Sequence, residues 1–217
     1  MCFSAEASFT VSAILATIGA ITIKNAKAPR LKLIALVPFF FALQQFAEGV
    51  VWLYMNGTVQ DPSVGVAAQY GYLFFAWILW PTYSPLAICI GEKMGWRKIV
   101  CFLCLGLGIF VSYVGCIFLV NEPLFTTIIG HSINYGISSP FQNIVYGIPV
   151  FVPLFISSIK EMWVFGLLLL ISFIISQFIY GYAFTSVWCF FAAGISIALY
   201  FIIKKASFSE TKESATI

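Results

Sequence analysis

Long apolar runs, separated by short polar or charged stretches, form the dominant pattern along the chain. An α-helix needs about 20 apolar residues to cross the hydrocarbon of a bilayer. The pattern predicts an all-α polytopic membrane protein with seven transmembrane helices: residues 5–23, 33–55, 64–90, 99–120, 143–159, 162–182 and 185–203. After residue 205 the sequence turns polar and loses its periodicity. We therefore interpret 1–205 as one seven-helix transmembrane domain and expect 206–217 to be a disordered cytoplasmic tail.

Composition supports a multi-pass membrane protein and argues against a soluble one. Hydrophobic residues make up 61% of the chain and charged residues only 9%, and the mean hydropathy is +1.00. No soluble fold buries this many uninterrupted apolar runs. Residues 1–4 lack the basic segment that opens a cleavable signal peptide, so we expect the first helix to remain in the membrane.

The eleven basic residues define an orientation. They fall in four groups that seven spans would place on one side of the membrane: Lys24, Lys27, Arg30 and Lys32; Lys93, Arg97 and Lys98; Lys160; and Lys204, Lys205 and Lys212. Cytoplasmic loops retain Lys and Arg, so this side is expected to be the cytoplasm, with the N-terminus outside and the C-terminus inside. The net charge of +3 then reflects membrane asymmetry, and we expect the lipid bilayer, not a nucleic acid, as partner.

One ionisable side chain, Glu48, lies well inside a predicted span. Gln44, Glu48 and Trp52 are spaced i, i+4 and i+8, and Gln45 is beside them, so these polar groups share one helix face. Such a face cannot be exposed to lipid. It must meet other helices or line a polar cavity, and an intramembrane carboxyl is a functional hypothesis by default.

Other predicted spans supply candidate residues for the same pocket. Tyr70 and Trp77 follow a seven-residue spacing in the third span, where Pro81 and Pro85 interrupt the backbone hydrogen bonds. Gln177 is a polar residue of the sixth span. The predicted ligand-binding residues are therefore Gln44, Gln45, Glu48, Trp52, Tyr70, Trp77 and Gln177.

A metal site is a separate hypothesis. Removal of the initiator Met1 would give Cys2 an α-amine beside its thiolate, a bidentate ligand. Cys2, His131 and Glu48 would all lie on the outer side in the predicted topology, and together they could hold zinc with one open coordination position. Catalytic residues cannot be assigned from the sequence.

Two motifs resemble those of a known group of proteins. The chain opens Met1-Cys2-Phe3-Ser4-Ala5, and its second span reads Gln44-Gln45-x-x-Glu48-Gly49-x-x-Trp52. Both are similar to an uncharacterised family of bacterial multi-pass membrane proteins whose members begin Met-Cys-Phe-Ser-Ala. The resemblance implies a bacterial inner-membrane location and directs attention to Cys2, Ser4, Gln45, Glu48 and Trp52. It implies no activity.

Three functions are compatible with these features. The first is a carrier or sensor with an outward-facing polar pocket around Glu48, binding a small neutral, cationic or apolar ligand. The second is an outward-facing, metal-dependent membrane hydrolase that acts on a lipid or amphiphile. The third is a scaffold in which the polar side chains only hold helices together. The sequence does not decide whether the protein is an enzyme.

Overall fold

The fold is a bundle of helices, and the computed structural model describes residues 4–136 and 140–214 of the chain. Its helices are α1 (Ala5–Asn25), α2 (Pro29–Ala35), α3 (Val37–Met55), α4 (Pro62–Leu73), α5 (Trp80–Gly91), α6 (Trp96–Asn121), α7 (Pro140–Ile156), α8 (Met162–Ile179), α9 (Phe184–Ile195) and α10 (Ala198–Ser214). A π-helical segment, Phe74–Leu79, joins α4 to α5, and a 3-10 turn, Gly181–Ala183, precedes α9. A two-stranded antiparallel hairpin, β1 (Thr127–Ile129) and β2 (Ser132–Asn134), lies between α6 and α7.

Six helical segments in the described part of the chain are long and apolar enough to cross a membrane: Ala5–Asn25, Pro29–Met55, Pro62–Gly91, Trp96–Asn121, Met162–Ile179 and Gly181–Ser209. The apolar stretch Gln142–Ile156 is shorter. The prediction of an all-α, multi-pass membrane protein is therefore confirmed. Six of the seven predicted spans meet the length that a bilayer demands, and the fifth falls below it.

Close packing of small residues brings α1 and α3 together as an antiparallel pair. A side chain at Gly19 would lie 2.8 Å from the backbone nitrogen of Phe39, and one at Gly49 would lie 2.7 Å from the ring of Phe9. Ser12 donates a hydrogen bond of 2.7 Å to the carbonyl of Ala42. Helices in lipid associate through such close contacts and hydrogen bonds, because burial of apolar surface brings little gain there. This pairing fixes which face of α3 is turned inward.

The π-helical segment lies directly before Pro81, as expected for a residue without an N–H group. The Trp80 N–H bonds to the carbonyl of Phe75, five residues back. Side chains then satisfy carbonyls of this segment: Tyr146 donates to Ala76 over 2.6 Å, and Ser112 donates to Ile78 over 2.8 Å. The segment is therefore a π-bulge held in place by α6 and α7.

The two ends of the bundle differ in charge. The basic end carries the C-terminus of α1, the α5–α6 turn and the α7–α8 loop. Two hydrogen bonds join these parts, from the Ser158 N–H to Glu92 (2.6 Å) and from the Ser207 hydroxyl to the Asn25 carbonyl (2.8 Å). An ion pair between Lys205 and Glu161 (2.6 Å) adds a third contact. The opposite end, which we call the hairpin end, carries β1, β2 and the turn between α3 and α4. Here Thr126, just before β1, donates a hydrogen bond of 2.6 Å to Gln69 of α4.

The C-terminal segment differs from its prediction. We expected disorder from residue 206, yet α10 continues as a helix to Ser214. Ser207 is 5% exposed and its hydroxyl bonds to the last turn of α1. Docking of α10 against α1 and α2 stabilises a polar segment that composition alone marks as unfolded, because composition carries no information about tertiary contacts.

Candidate functional site

The carboxyl of Glu48 is buried at the centre of a polar cluster. Glu48 is 2% exposed on the inward face of α3. Ser186, from α9, donates its hydroxyl to one carboxyl oxygen over 2.5 Å, and Gln45 donates its amide to the other over 3.2 Å. These two neutral donors are the hydrogen-bonding partners of Glu48 among the described residues.

Gln44 connects Glu48's face of α3 to α5. Its side-chain oxygen accepts a hydrogen bond of 2.7 Å from the indole N–H of Trp80. The Trp80 ring is stacked on Phe41, with the ring centroids 4.1 Å apart. Gln44 and Gln45 are both fully buried. The aromatic stack therefore fixes the rotamer of Gln44 and closes the cluster on the side toward the basic end.

Tyr72 and Cys189 complete the cluster on the other side. The Tyr72 hydroxyl donates to the carbonyl of Thr185, the residue before Ser186, over 3.1 Å. Cys189, one turn further along α9, belongs to the same buried cluster of side chains as Tyr72. Both Tyr72 and Cys189 are buried. Four chain segments therefore meet at Glu48, namely α3, α4, α5 and α9.

The β-hairpin packs over this cluster through Tyr135. Tyr135, just after β2, is 3% exposed, and its ring is stacked on that of Tyr72 at a centroid distance of 4.7 Å. Burial raises the pKa of Tyr135 well above its usual value, and the neighbouring Glu48 and Cys189 raise it further. Tyr135 packs in the same buried cluster as Tyr72 and Cys189, so the hairpin covers this side of the site.

Several buried polar atoms in this region have no hydrogen-bonding partner among the described residues. They are the side-chain nitrogen of Gln44, the side-chain oxygen of Gln45, the indole N–H of Trp52 and the hydroxyl of Tyr135. A buried polar group without a partner costs roughly 1–3 kcal/mol. The cluster therefore offers both donors and an acceptor to a small ligand, in addition to the carboxyl itself.

A small polar vestibule lies beside Tyr135 at the hairpin end. It has a volume of about 190 Å³ and is lined by Asn134, Tyr135, Gly136, Gly181, Tyr182, Ala183, Phe184 and Thr185. This volume holds several water molecules or a small hydrated ion. Thr185 lines the vestibule while the next residue, Ser186, bonds to Glu48. The wall of the vestibule and the Glu48 cluster therefore include adjacent residues of the chain.

The structure places the predicted ligand-binding residues in two groups. Gln44, Gln45, Glu48 and Trp52 lie together on the buried face of α3. The other three lie elsewhere. Tyr70 is 41% exposed on α4. Trp77 lines a groove of about 350 Å³ between the π-helical segment, α6 and α7, and Gln177 accepts a hydrogen bond of 2.7 Å from Asn143 in that region.

The predicted metal ligands are not assembled by the described residues. Cys2 lies outside those residues. His131 is exposed on the turn of the hairpin, while Glu48 is buried in the bundle. Within residues 4–136 and 140–214, His, Cys, Asp and Glu side chains form no group of three that could hold a metal ion.

Sequence reasoning missed Tyr72, Tyr135 and Cys189 as members of the cluster. Tyr72 is two residues from the predicted Tyr70 and therefore lies on a different face of α4. The spacing between Tyr70 and Trp77 did not indicate that face, because the π-helical segment that follows α4 changes the helical register. Tyr135 comes from a loop, where no periodicity indicates burial. Cys189 and Ser186 lie one turn apart in α9, and that spacing is the only local signal that could have grouped them.

Comparison with known proteins identifies a family but no activity. No curated protein matches the chain, and no solved structure matches it. A family of unknown function, DUF6629, matches residues 1–214. That match covers almost the whole chain, including the opening motif and the Glu48 helix, and the chain therefore belongs to the DUF6629 family.

Proposed function

We propose that this protein is a membrane carrier or sensor that binds a small neutral or cationic ligand at Glu48. One observation carries the proposal: a carboxyl that is 2% exposed is bonded only to neutral donors among the described residues. An unbalanced charge at this depth is costly, so the carboxyl is expected to take up a proton or another cation. A carboxyl that only held helices together would also be protonated, but it would bind no other cation.

The access route runs from the hairpin end. The vestibule is lined by Tyr135 and Thr185, Tyr135 is stacked on Tyr72, and the residue after Thr185, Ser186, is bonded to Glu48. Because the cluster itself is closed, a ligand reaches Glu48 only when Tyr135 moves off Tyr72. This arrangement supports a gated site that opens on one side, as a carrier or a sensor requires.

The charge distribution supports an outward-facing vestibule. Ten of the Lys and Arg residues, all those before residue 210, belong to segments at the basic end. With the basic end in the cytoplasm, the N-terminus and the hairpin lie outside and the C-terminus inside. In a variant without native cysteines, a membrane-impermeant maleimide should label His131→Cys in intact cells. Lys24→Cys should react only after permeabilisation, and the reverse result would overturn this orientation.

Thermal unfolding of the purified protein tests ligand binding directly. A ligand that binds only the folded state raises the unfolding midpoint. We expect the midpoint of the wild type to rise with proton or sodium concentration, choline chloride serving as the ionic-strength control. Glu48→Gln, which keeps the side-chain size, should remove this response. Glu122→Gln, at an exposed carboxyl of the hairpin end, should keep it.

A response shared equally by wild type and Glu48→Gln would contradict the proposal. Uptake of sodium-22 into proteoliposomes then separates the two forms of the function. A carrier accumulates the ion in a manner that depends on Glu48, whereas a sensor binds it without uptake.

A further inference from the structure

A second polar cavity lies at the basic end, far from the Glu48 cluster. This basic cleft has a volume of about 460 Å³ and lies between the start of α2, the α5–α6 turn and the α7–α8 loop. It is lined by Arg30, Glu92, Lys93, Met94, Gly95, Trp96, Arg97 and Ser158. Gly95, the residue before α6, has φ +153°, a backbone conformation that residues other than glycine rarely adopt.

The accessible charge in the cleft is positive. Arg30, Lys93 and Arg97 come from three different elements, and the one acidic residue of the lining is Glu92. That carboxylate is 6% exposed, and one of its oxygens accepts hydrogen bonds from the Ser158 N–H (2.6 Å) and the Ser157 hydroxyl (3.3 Å). Glu92 therefore holds the α7–α8 loop against the α5–α6 turn, and the cations dominate the open side.

Other basic residues at this end differ from those of the cleft. Lys205 is paired with Glu161, and the Lys204 ammonium lies 5.7 Å from the Tyr200 ring centroid. Lys24 and Lys27 are exposed and line none of the described cavities. The guanidinium of Arg97, by contrast, lies 5.5 Å from the centroid of the Trp96 ring. This contact orients a planar group suited to bidentate binding of a phosphate.

The cleft lies at the depth of the lipid headgroups. Apolar side chains around its mouth are strongly exposed: Met94 by 82%, Trp96 by 62% and Ile99 by 58%. In a membrane protein such side chains lie at the start of the hydrocarbon, and tryptophan is enriched at that boundary. The cations of the cleft are then level with the phosphate groups of the surrounding lipid.

We propose that the basic cleft binds the phosphate of an anionic phospholipid headgroup. Arg97 and Lys93 contact the phosphate, and Arg30 forms the third wall of the site. Anionic lipids of the cytoplasmic leaflet attract basic residues near the surface by about 1 kcal/mol for each. A cleft whose lining presents two exposed cations, Lys93 and Arg97, binds one lipid in a defined position. This proposal does not depend on the role of Glu48.

The test is native mass spectrometry of detergent-purified protein with added phosphatidylglycerol or phosphatidylcholine. We expect the wild type to retain one phosphatidylglycerol in preference to phosphatidylcholine, and the double variant Lys93→Gln/Arg97→Gln to lose about tenfold or more in this affinity. Lys24→Gln/Lys27→Gln removes the same charge from the same end, outside the cleft, and should keep the affinity. Both pairs are exposed, and unchanged unfolding midpoints verify that the variants are folded.

Each remaining outcome overturns the proposal. An equal loss in the two double variants would assign lipid retention to general surface charge. Equal retention of the two lipids would remove the recognition of an anionic headgroup. A rise in the unfolding midpoint with inorganic phosphate, with no further rise from phosphatidylglycerol, would identify free phosphate as the ligand.

Discussion

Helices α3 and α6 are both apolar, yet they meet their surroundings in different ways. In the most apolar window of Pro29–Met55, 56% of residues are buried, against 22% in Trp96–Asn121. The buried face of α3 carries Gln44, Gln45 and Glu48, whereas α6 buries little beyond a stripe of small residues. The difference teaches that polarity marks the inward face in this protein. Apolar side chains are about as stable against lipid as against other helices, so they do not distinguish the two faces of a helix.

The largest effect is expected at the stripe of small residues on the buried face of α6. A side chain at Gly108 would lie 1.9 Å from the carbonyl oxygen of Pro81, a backbone atom with little freedom to move. We expect Gly108→Ala to lower the free energy of unfolding by about 3 kcal/mol, measured by unfolding in detergent. Gly106→Ala, at a position with nothing within 4 Å, should be neutral or slightly stabilising. Equal effects of the two changes would show that α6 does not pack closely on α5.

The next largest effect is expected on the polar face of α3. Glu48→Ala leaves the donors of Ser186 and Gln45 buried without an acceptor, and should cost roughly 2–3 kcal/mol of unfolding free energy. Glu48→Gln keeps an acceptor and should cost less. If the two variants were equally stable, the cluster would not be tightly packed around the carboxyl.

Ser186→Ala tests the same polar cluster by removing the hydroxyl that α9 donates to Glu48. Loss of this hydrogen bond should lower the free energy of unfolding by roughly 1 kcal/mol. Combined with Glu48→Ala, the effect should be clearly less than the sum of the two single changes, because both remove the same 2.5 Å contact. Additive effects in this double-mutant cycle would mean that the two side chains are not coupled.

The smallest effect is expected on the lipid-facing side of α6. Leu103 is 69% exposed, and Leu103→Ala should change the unfolding free energy by less than about 0.5 kcal/mol. The same measurement on Leu15→Ala, in the fully buried part of α1, should show a loss of roughly 2–5 kcal/mol. A large effect at Leu103 would indicate that another protein surface, not lipid, covers α6.

Much of the fold could be predicted from the sequence because the bilayer imposes strict lengths. The first six spans begin and end within about four residues of the predicted positions, whereas the last is divided into α9 and α10 and continues beyond residue 203. The i, i+4 and i+8 spacing correctly grouped Gln44, Glu48 and Trp52 on the buried face of α3. The spacing within one helix is local information, so the sequence contains it directly.

The remainder of the site depends on how separate helices are rotated. The seven-residue spacing of Tyr70 and Trp77 is real, but the buried side of this span carries Gln69, Tyr72, Leu73, Ala76 and Trp80 instead. The π-helical segment adds a residue to one turn and changes the register beyond it. Tyr135 reaches the cluster through a hairpin, and no pattern in the sequence determines where that hairpin packs.

The hydrogen bond between Ser186 and Glu48 also has a consequence for synthesis of the protein. The two residues are 138 positions apart in the chain, and a ribosome adds about 5–20 residues per second. Roughly 7 to 28 s therefore pass between the incorporation of the carboxyl and that of its hydroxyl partner. Throughout this interval the nascent chain holds Glu48 without α9, so a chain that stalls before α9 carries a carboxyl without its hydroxyl partner.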